Sequence, residues 1–343
     1  MSETATTPAK TGWRKLLRIP TPVIFLICIA LAAVVLWWQG SLGELWEVLR
    51  EARMRDLLIA TPIYLVSLWI LAVRWHELVK MAQGWSDLPR AAEAFLTSVV
   101  INYAAPVGLA VPSRAALTKR ALGLDHRATG VVALWEIGMD VIVLGLGTVI
   151  WLLFARGSTT AVGNELQENA SRYTTVLIAG VVLLLILGVI FFRKAEQRRR
   201  AVHFIGRILV SPAERPAEAI RALVWSVLYW VTQGIVLAFL VHSMGVEVSF
   251  LFILGLTSLP MLIGMLSPIP GGAVVREAMM YVVARMAGVP GAEVVAAAVL
   301  YRMALFGAIP ILYAITRIWL SRRGEGHPNL PKSESVEGRN AEA

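Results

Sequence analysis

A polytopic all-α membrane fold is what this 343-residue chain predicts, on three observations. Hydrophobic residues are 57% of the sequence and charged residues 16%, where soluble domains run at about 45–50% and about 25%. Mean hydropathy is +0.68. The apolar residues are gathered into runs close to the ~20 that a helix needs to cross a bilayer, and the charges lie between the runs. The length has room for about eight membrane segments, two of them broken hairpins, and none for a large soluble catalytic domain. The formal net charge of +9 would suggest nucleic acid in a soluble protein. Here the cations sit in short segments between spans and read as topology signals. A single cysteine, Cys28, excludes an internal disulfide. Twelve tryptophans suit interfacial anchoring, though several lie mid-span.

Residues 1–21 are a polar, basic tail. The apolar run Val23–Trp38 ends in Trp37, Trp38 and Gln39 with no small-residue cleavage site, so it reads as an uncleaved first span. Residues 41–56 mix Trp46 and Leu49 with charges, as an interfacial segment does. Leu57–Val73 is the second span, and residues 74–90, with Arg74, His76, Lys80 and Arg90, return to polar character. Ala94–Ala105 is too short to cross comfortably and runs into Pro106, Gly108 and Pro112. Ala128–Phe154 is a long span interrupted by Glu136 and Asp140. Residues 155–173 form a loop, and Thr174–Phe192 is a clean span. Residues 193–221 hold eight Lys/Arg. Leu223–Val241 and Phe250–Leu266 are spans, the second broken by Pro268, Pro270, Gly271 and Gly272. Residues 273–289 form a shorter apolar helix, Val294–Ile318 is the last span, and 321–343 are a polar tail of disordered composition.

The Lys/Arg asymmetry places the N-terminus, residues 74–90, residues 193–221 and the Arg317, Arg322, Arg323 cluster in the cytoplasm. Loops 41–56 and 155–173 then lie outside. Both termini are then expected in the cytoplasm. Parity forces residues 91–127 to dip in and return on the inner face, and 249–292 to do the same from the outer face. The two hairpin units, about 91–154 and 249–318, share a pattern. A shift of 164 takes Pro106 to Pro270 and Gly108 to Gly272, and a shift of 165 takes Gly123 to Gly288. Two broken hairpins entering from opposite faces, each followed by a charged span, match the inverted repeats that place transporter sites near the midplane. Chance similarity is the competing explanation.

A charge at the bilayer centre costs ~2.5–3.5 kcal/mol on insertion scales, so intramembrane charges are candidates for function. These are Arg114, Glu136, Asp140, Arg276, Glu277 and Arg302, three arginines against three carboxylates. Glu136 and Asp140, four apart, share a helix face. Two readings stand: internal ion pairs that fix helix packing, or a groove in which arginine holds a phosphate bidentately. The Pro268–Gly272 segment reads as a re-entrant break or as a tight boundary turn. Asn102 and Tyr103 either bond exposed backbone at the first break or cap a helix. No metal-ligand, P-loop, dinucleotide or nucleophile-elbow motif is present in the sequence, and no cofactor is called for. Gly145 and Gly147 read as small-residue helix packing.

The run Asn102-xxx-Pro106-Val-Gly108 with Arg114, then Trp135-Glu136-xxx-Asp140, then Pro268-Ile-Pro-Gly-Gly272 with Arg276-Glu277, then Tyr301-Arg302, resembles the flippase-like integral membrane family. This is also called the lysylphosphatidylglycerol synthase transmembrane region, or the UPF0104 group. The resemblance covers about residues 20–320, and its most specific part is the second half. Leu109-Ala-Val-Pro-Ser-Arg114 lacks the glutamate the family carries there. The resemblance implies a lipid transporter and not an enzyme: the chain stops after the last span, without the soluble domain that makes aminoacyl-lipid. The expected partner is a membrane lipid with a phosphate, either an anionic phospholipid, an aminoacyl-lipid or a polyprenyl-phosphate carrier. Lipid-synthesis enzymes are further expected partners and nucleic acid is not. Competing classes are a non-transporting scaffold of an envelope-synthesis complex and a membrane-embedded transferase.

Overall fold

The computed structural model describes residues 52–104, 110–154, 209–266 and 275–322, with single positions at 23, 26, 50 and 206. Outside the described residues lie the rest of the predicted first span, the loop 155–173, the span Thr174–Phe192 and most of both tails. So do both proline–glycine breaks, with Pro106, Gly108, Pro268, Pro270, Gly271 and Gly272. The described residues form helices α1 (Met54–Gln83), α2 (Leu88–Ala104), α3 (Ala110–Leu122), α4 (His126–Phe154), α5 (Pro216–Ser243), α6 (Phe250–Leu266), α7 (Val275–Met286) and α8 (Gly291–Arg322). There is no strand among them.

Four of these helices, α1, α4, α5 and α8, are long and apolar enough to cross a membrane. The protein is an all-α, multi-pass membrane protein. Helices satisfy every backbone group internally, which is why such apolar runs adopt them in lipid. Pro62, Pro260 and Pro310 sit inside helices, where each removes one backbone donor, a loss membrane helices tolerate. The second span does not stop at Val73. Its apolar spacing (Leu68, Leu71, Trp75, Leu78, Met81) carries the helix to Gln83, where Gly84 at φ +89° terminates it and donates to Lys80 O at 2.7 Å. Arg215 packs its guanidinium on Gly84 and donates to Met81 O at 2.9 Å, a cation at the negative end of α1.

α1 and α5 form the central pair and run antiparallel. At one end Arg53 N–H donates to Ser243 O (3.0 Å) and His242 pairs with Asp56 (2.9 Å). Midway Gln233 reaches Ser67 (3.0 Å), and towards the other end Arg221 pairs with Glu77 (3.0 Å). The two broken units hang on this pair. α2 turns back into α3, because Arg114 Nε donates to Ser98 Oγ at 2.8 Å across the break. α6 turns back into α7, because Arg276 reaches Met261 Sδ at 3.9 Å. At about 1.5 Å per residue the hairpin helices are about 18–26 Å long, short of the ~30 Å hydrocarbon core.

The packing is pseudo-twofold among the described helices. Exchanging α1 with α5, α2 with α6, α3 with α7 and α4 with α8 maps the set of packed helix pairs onto itself. α2 packs on α8 as α6 packs on α4, so each hairpin lies against the long helix of the other unit. Gly123 (φ +68°) and Gly288 (φ +69°) occupy equivalent left-handed positions before the two long helices. Since α1 and α5 are antiparallel, the repeat is inverted.

The α4–α6 crossing depends on small residues. Trp151 lies on Gly255, where a Cβ would stand 2.5 Å from its indole nitrogen, and Ser258 lies on Gly147, where a Cβ would stand 3.1 Å from Ser258 Cβ. Gly145, one turn-face away, has nothing within 4 Å. Overpacking a tight contact costs about 1–3 kcal/mol, whereas alanine in an open helical position is neutral or better. Gly255→Ala should therefore lower the thermal midpoint of the purified protein by several degrees, with Gly145→Ala unchanged or higher. Equal midpoints for the two would contradict this account of the crossing.

Candidate functional site

Six charged side chains proposed from the sequence divide in the structure into two clusters, and a seventh charge joins them. That seventh is Arg74. It lies on the face of α1 that carries Ser67 and Leu78, is 2% exposed, and therefore has to be paired. It donates bidentately to Asp140, with Nη2 to Oδ2 at 3.2 Å and Nη1 to Oδ1, and Nη2 also reaches Glu136 at 3.4 Å. The one-turn spacing of Glu136 and Asp140 on α4 lets one guanidinium bridge both. Asp140 also accepts from Trp230 Nε1 at 2.7 Å. The far oxygen of the bridge, on Glu136, is shared with Arg114 of α3.

Arg114 is held by two hydrogen bonds and two aromatic rings. Its Nε donates to Ser98, its Nη1 to Glu136, and its guanidinium lies over Phe95 (4.8 Å) and Trp75 (5.4 Å). Trp75 and Phe95 themselves pack at 5.9 Å. This first cluster thus draws on α1, α2, α3, α4 and α5 and balances two arginines with two carboxylates. Within it, Trp75 is 1% exposed and its indole N–H meets no hydrogen-bond acceptor among the described residues. A buried donor left so costs about 1–3 kcal/mol.

The second cluster lies in the other unit. Glu277 accepts from Arg276, its neighbour on α7, at 3.2 Å and from Arg302 on α8. Two arginines face one carboxylate here, a formal excess of one positive charge within these three side chains. Arg276 lies over the ring of Tyr301 at 5.3 Å. Tyr301 donates its hydroxyl to Gln233 Oε1 at 2.5 Å, and Gln233 Nε2 donates to Ser67 Oγ at 3.0 Å. Tyr64 meets Tyr301 edge-on at 5.5 Å.

This buried seam connects the clusters through the central pair. Ser67 precedes Arg74 by seven residues on α1, and Ser226, 3.5 Å from Arg74, precedes Gln233 by seven on α5. Seven residues are about two turns, or about 10 Å along the axis. The Ser67–Gln233 contact is therefore offset from Arg74 by about 10 Å along the axis, and the seam runs on from it through Tyr301 to Arg276, with one cluster per hairpin unit. The sequence reading assigned Arg74 to a polar segment and did not count it with the site. The signal that could have found it is the apolar period running past it to Met81. Asn102 lies within the last turn of α2, but its side chain and the residues of both breaks are outside the described set.

Residues 25–312 match the protein family described as the lysylphosphatidylglycerol synthase TM region. The chain is similar to a UPF0104 membrane protein of Pyrococcus horikoshii, at 20% identity over 294 residues, covering 75% of this chain and 84% of that one. No solved structure matches it.

Removing Arg74 leaves two buried carboxylates with less compensation, and breaking a buried pair costs about 3–5 kcal/mol. Arg74→Met should lower the thermal midpoint far more than Arg221→Gln, because Arg221 is half-exposed and Glu77 keeps Lys80 at 3.7 Å. Combining Arg74→Met with Asp140→Leu should recover part of the loss. A double variant no better than the single would show that Arg74 stabilises by packing and not by charge.

Proposed function

The chain belongs to the lysylphosphatidylglycerol synthase transmembrane-region family, and from that premise we propose that it moves a phosphate-bearing lipid between the leaflets of a bacterial inner membrane. The family supports the coarser statement of a membrane protein in lipid metabolism or transport. The observation that carries the finer reading is the pair of buried arginine–carboxylate clusters on the α1–α5 frame, one per hairpin unit. Buried intramembrane charges are expensive and mark pathways, and binding sites at inverted broken helices are the known arrangement for alternating access.

Arginine holds phosphate bidentately, as it holds carboxylate. A headgroup phosphate entering the second cluster displaces Glu277 from Arg302, while Arg276 keeps its bond to Glu277. At the first cluster it competes with Glu136 for Arg114. Each exchange replaces one charged partner by another, so no arginine is left bare, and rocking of one unit against the other moves the headgroup between stations. The acyl or prenyl chains stay in the surrounding lipid. The candidate substrates are an anionic phospholipid, an aminoacyl-lipid or a polyprenyl-phosphate carrier, and lipid-synthesis enzymes are the partners that would supply them. Transport is not an enzymatic step: it runs downhill or is coupled to protons through a carboxylate. Both termini would face the cytoplasm, the side of the basic segment 193–221.

One observation favours a second reading. Every carboxylate of the clusters already has an arginine partner, as a scaffold with purely structural charges requires. Leaflet-resolved assays in proteoliposomes separate the two. We expect one lipid class to exchange in the wild type and to slow at least roughly ten-fold in Arg302→Ala and Glu277→Gln, with the protein still inserted and folded. Wild-type rates in both variants would refute the transport reading, and loss of abundance in place of turnover would support the scaffold.

A further inference from the structure

We propose that Trp75 is a ligand-binding residue, its indole N–H paired with Arg114 to form a donor site for one phosphate oxygen at the first cluster. The proposal rests on the phosphate-lipid reading and adds a residue and a subsite to it.

Three observations converge on it. Trp75 is among the largest fully buried side chains, and its N–H has no acceptor among the described residues. Buried tryptophans usually find one, and phenylalanine would fill an apolar slot without the polar penalty. Second, Arg114 stands over the Trp75 ring at 5.4 Å. Of its guanidinium, Nε donates to Ser98 and Nη1 to Glu136, while Nη2 donates to no acceptor among the described residues. One stacked pair thus carries two donors without an acceptor among the described residues, one of them cationic. Third, Trp75 follows Arg74, so the same turn of α1 supplies both the anchor of the carboxylates and the orphan donor. The missing partner is an acceptor with negative charge. Among the described residues the neighbouring carboxylates of Glu136 and Asp140 already make their bonds to arginine, and an oxyanion brought from outside would supply the acceptor. Phosphate oxygen fits: it accepts from arginine and from a neutral N–H at once. Phe95 closes the other face of Arg114 at 4.8 Å, so the guanidinium edge presented to the ligand is fixed.

The physical signature is a pair of opposite effects from one substitution. Trp75→Phe keeps an aromatic ring beneath Arg114 and deletes only the orphan donor. The ligand-free protein should therefore unfold at the same temperature or higher, because a buried unsatisfied group is gone. Ligand binding should weaken, because its acceptor loses a partner. The test uses the purified full-length chain with two probes, short-chain phosphatidylglycerol and inorganic phosphate, read by ligand-induced thermal stabilisation and by 15N-indole NMR. The Trp75 resonance is identified by its loss in the Phe variant.

We expect the wild-type Trp75 resonance to move on adding probe, and the affinity to fall roughly ten-fold in Trp75→Phe with an unchanged or raised ligand-free midpoint. Response to the lipid alone assigns the site to a headgroup, and response to both assigns it to phosphate as such. If the wild type binds a probe while the Trp75 resonance stays still and Trp75→Phe binds equally well, this proposal is overturned and the transport reading stands. If the wild type binds neither probe, this proposal falls, and the proteoliposome assay alone decides the transport reading. A lowered midpoint in ligand-free Trp75→Phe would mean that the N–H is already satisfied, and would overturn the proposal as well.

Discussion

The need to neutralise Arg74 organises this molecule. A guanidinium that is 2% exposed within an apolar bundle cannot stand alone. Its pairing with Asp140 and Glu136 fixes the rotation of α4 about its axis, since both carboxylates must point inward on consecutive turns. The outer face of α4 is then left to Ile137, Val141, Leu146 and Val149, all exposed and all apolar. Trp230 ties α5 to the same aspartate, and sharing Glu136 with Arg114 brings the returning arm of the first hairpin against α4. One charge thus sets the register of four elements, and the apolar contacts fill in around it.

The pseudo-twofold packing and the charge distribution obey different rules. Helix pairs map onto each other under the exchange of units. Arginines Arg114 and Arg276 hold comparable places on the short returning helices, but the long helices differ: α4 brings two carboxylates where α8 brings Tyr301 and Arg302. Among the described residues, Arg74 has no counterpart in the second unit. The scaffold is close to symmetric, while its two clusters differ in their described side chains. Under the proposed transport reading, unequal clusters would give a bound anion a reason to prefer one of two otherwise equivalent end states.

The fold was readable because long apolar runs carry their own boundaries. Phe250–Leu266 is the same in sequence and structure, and Ala128–Phe154 begins two residues late. The turning-back of both hairpins followed from charge parity, without any knowledge of contacts. Arg74 was lost for a definite reason: polar density in residues 74–90 resembles a loop, and only the continuing apolar period shows that α1 runs on for ten more residues. The pairings themselves were out of reach. Ser67–Gln233 and Gln233–Tyr301 join residues far apart in sequence, and no local pattern encodes which polar side chain meets which. Six of the clustered charges could be named from the cost of burying them, but their division into two groups depends on helix packing that a linear pattern does not carry.

The axial offset between Arg74 and the Ser67–Gln233 contact also has an electrical meaning. An offset of about 10 Å is about a third of the ~30 Å hydrocarbon thickness, so a unit charge moved between these two levels would cross about a third of the membrane voltage. At 100 mV the full drop amounts to about 2.3 kcal/mol per charge, and a third of it to about 0.8 kcal/mol. That is small beside the ~3–5 kcal/mol at stake when a buried ion pair is broken. A membrane voltage therefore weighs little against the ion pairing that holds Arg74.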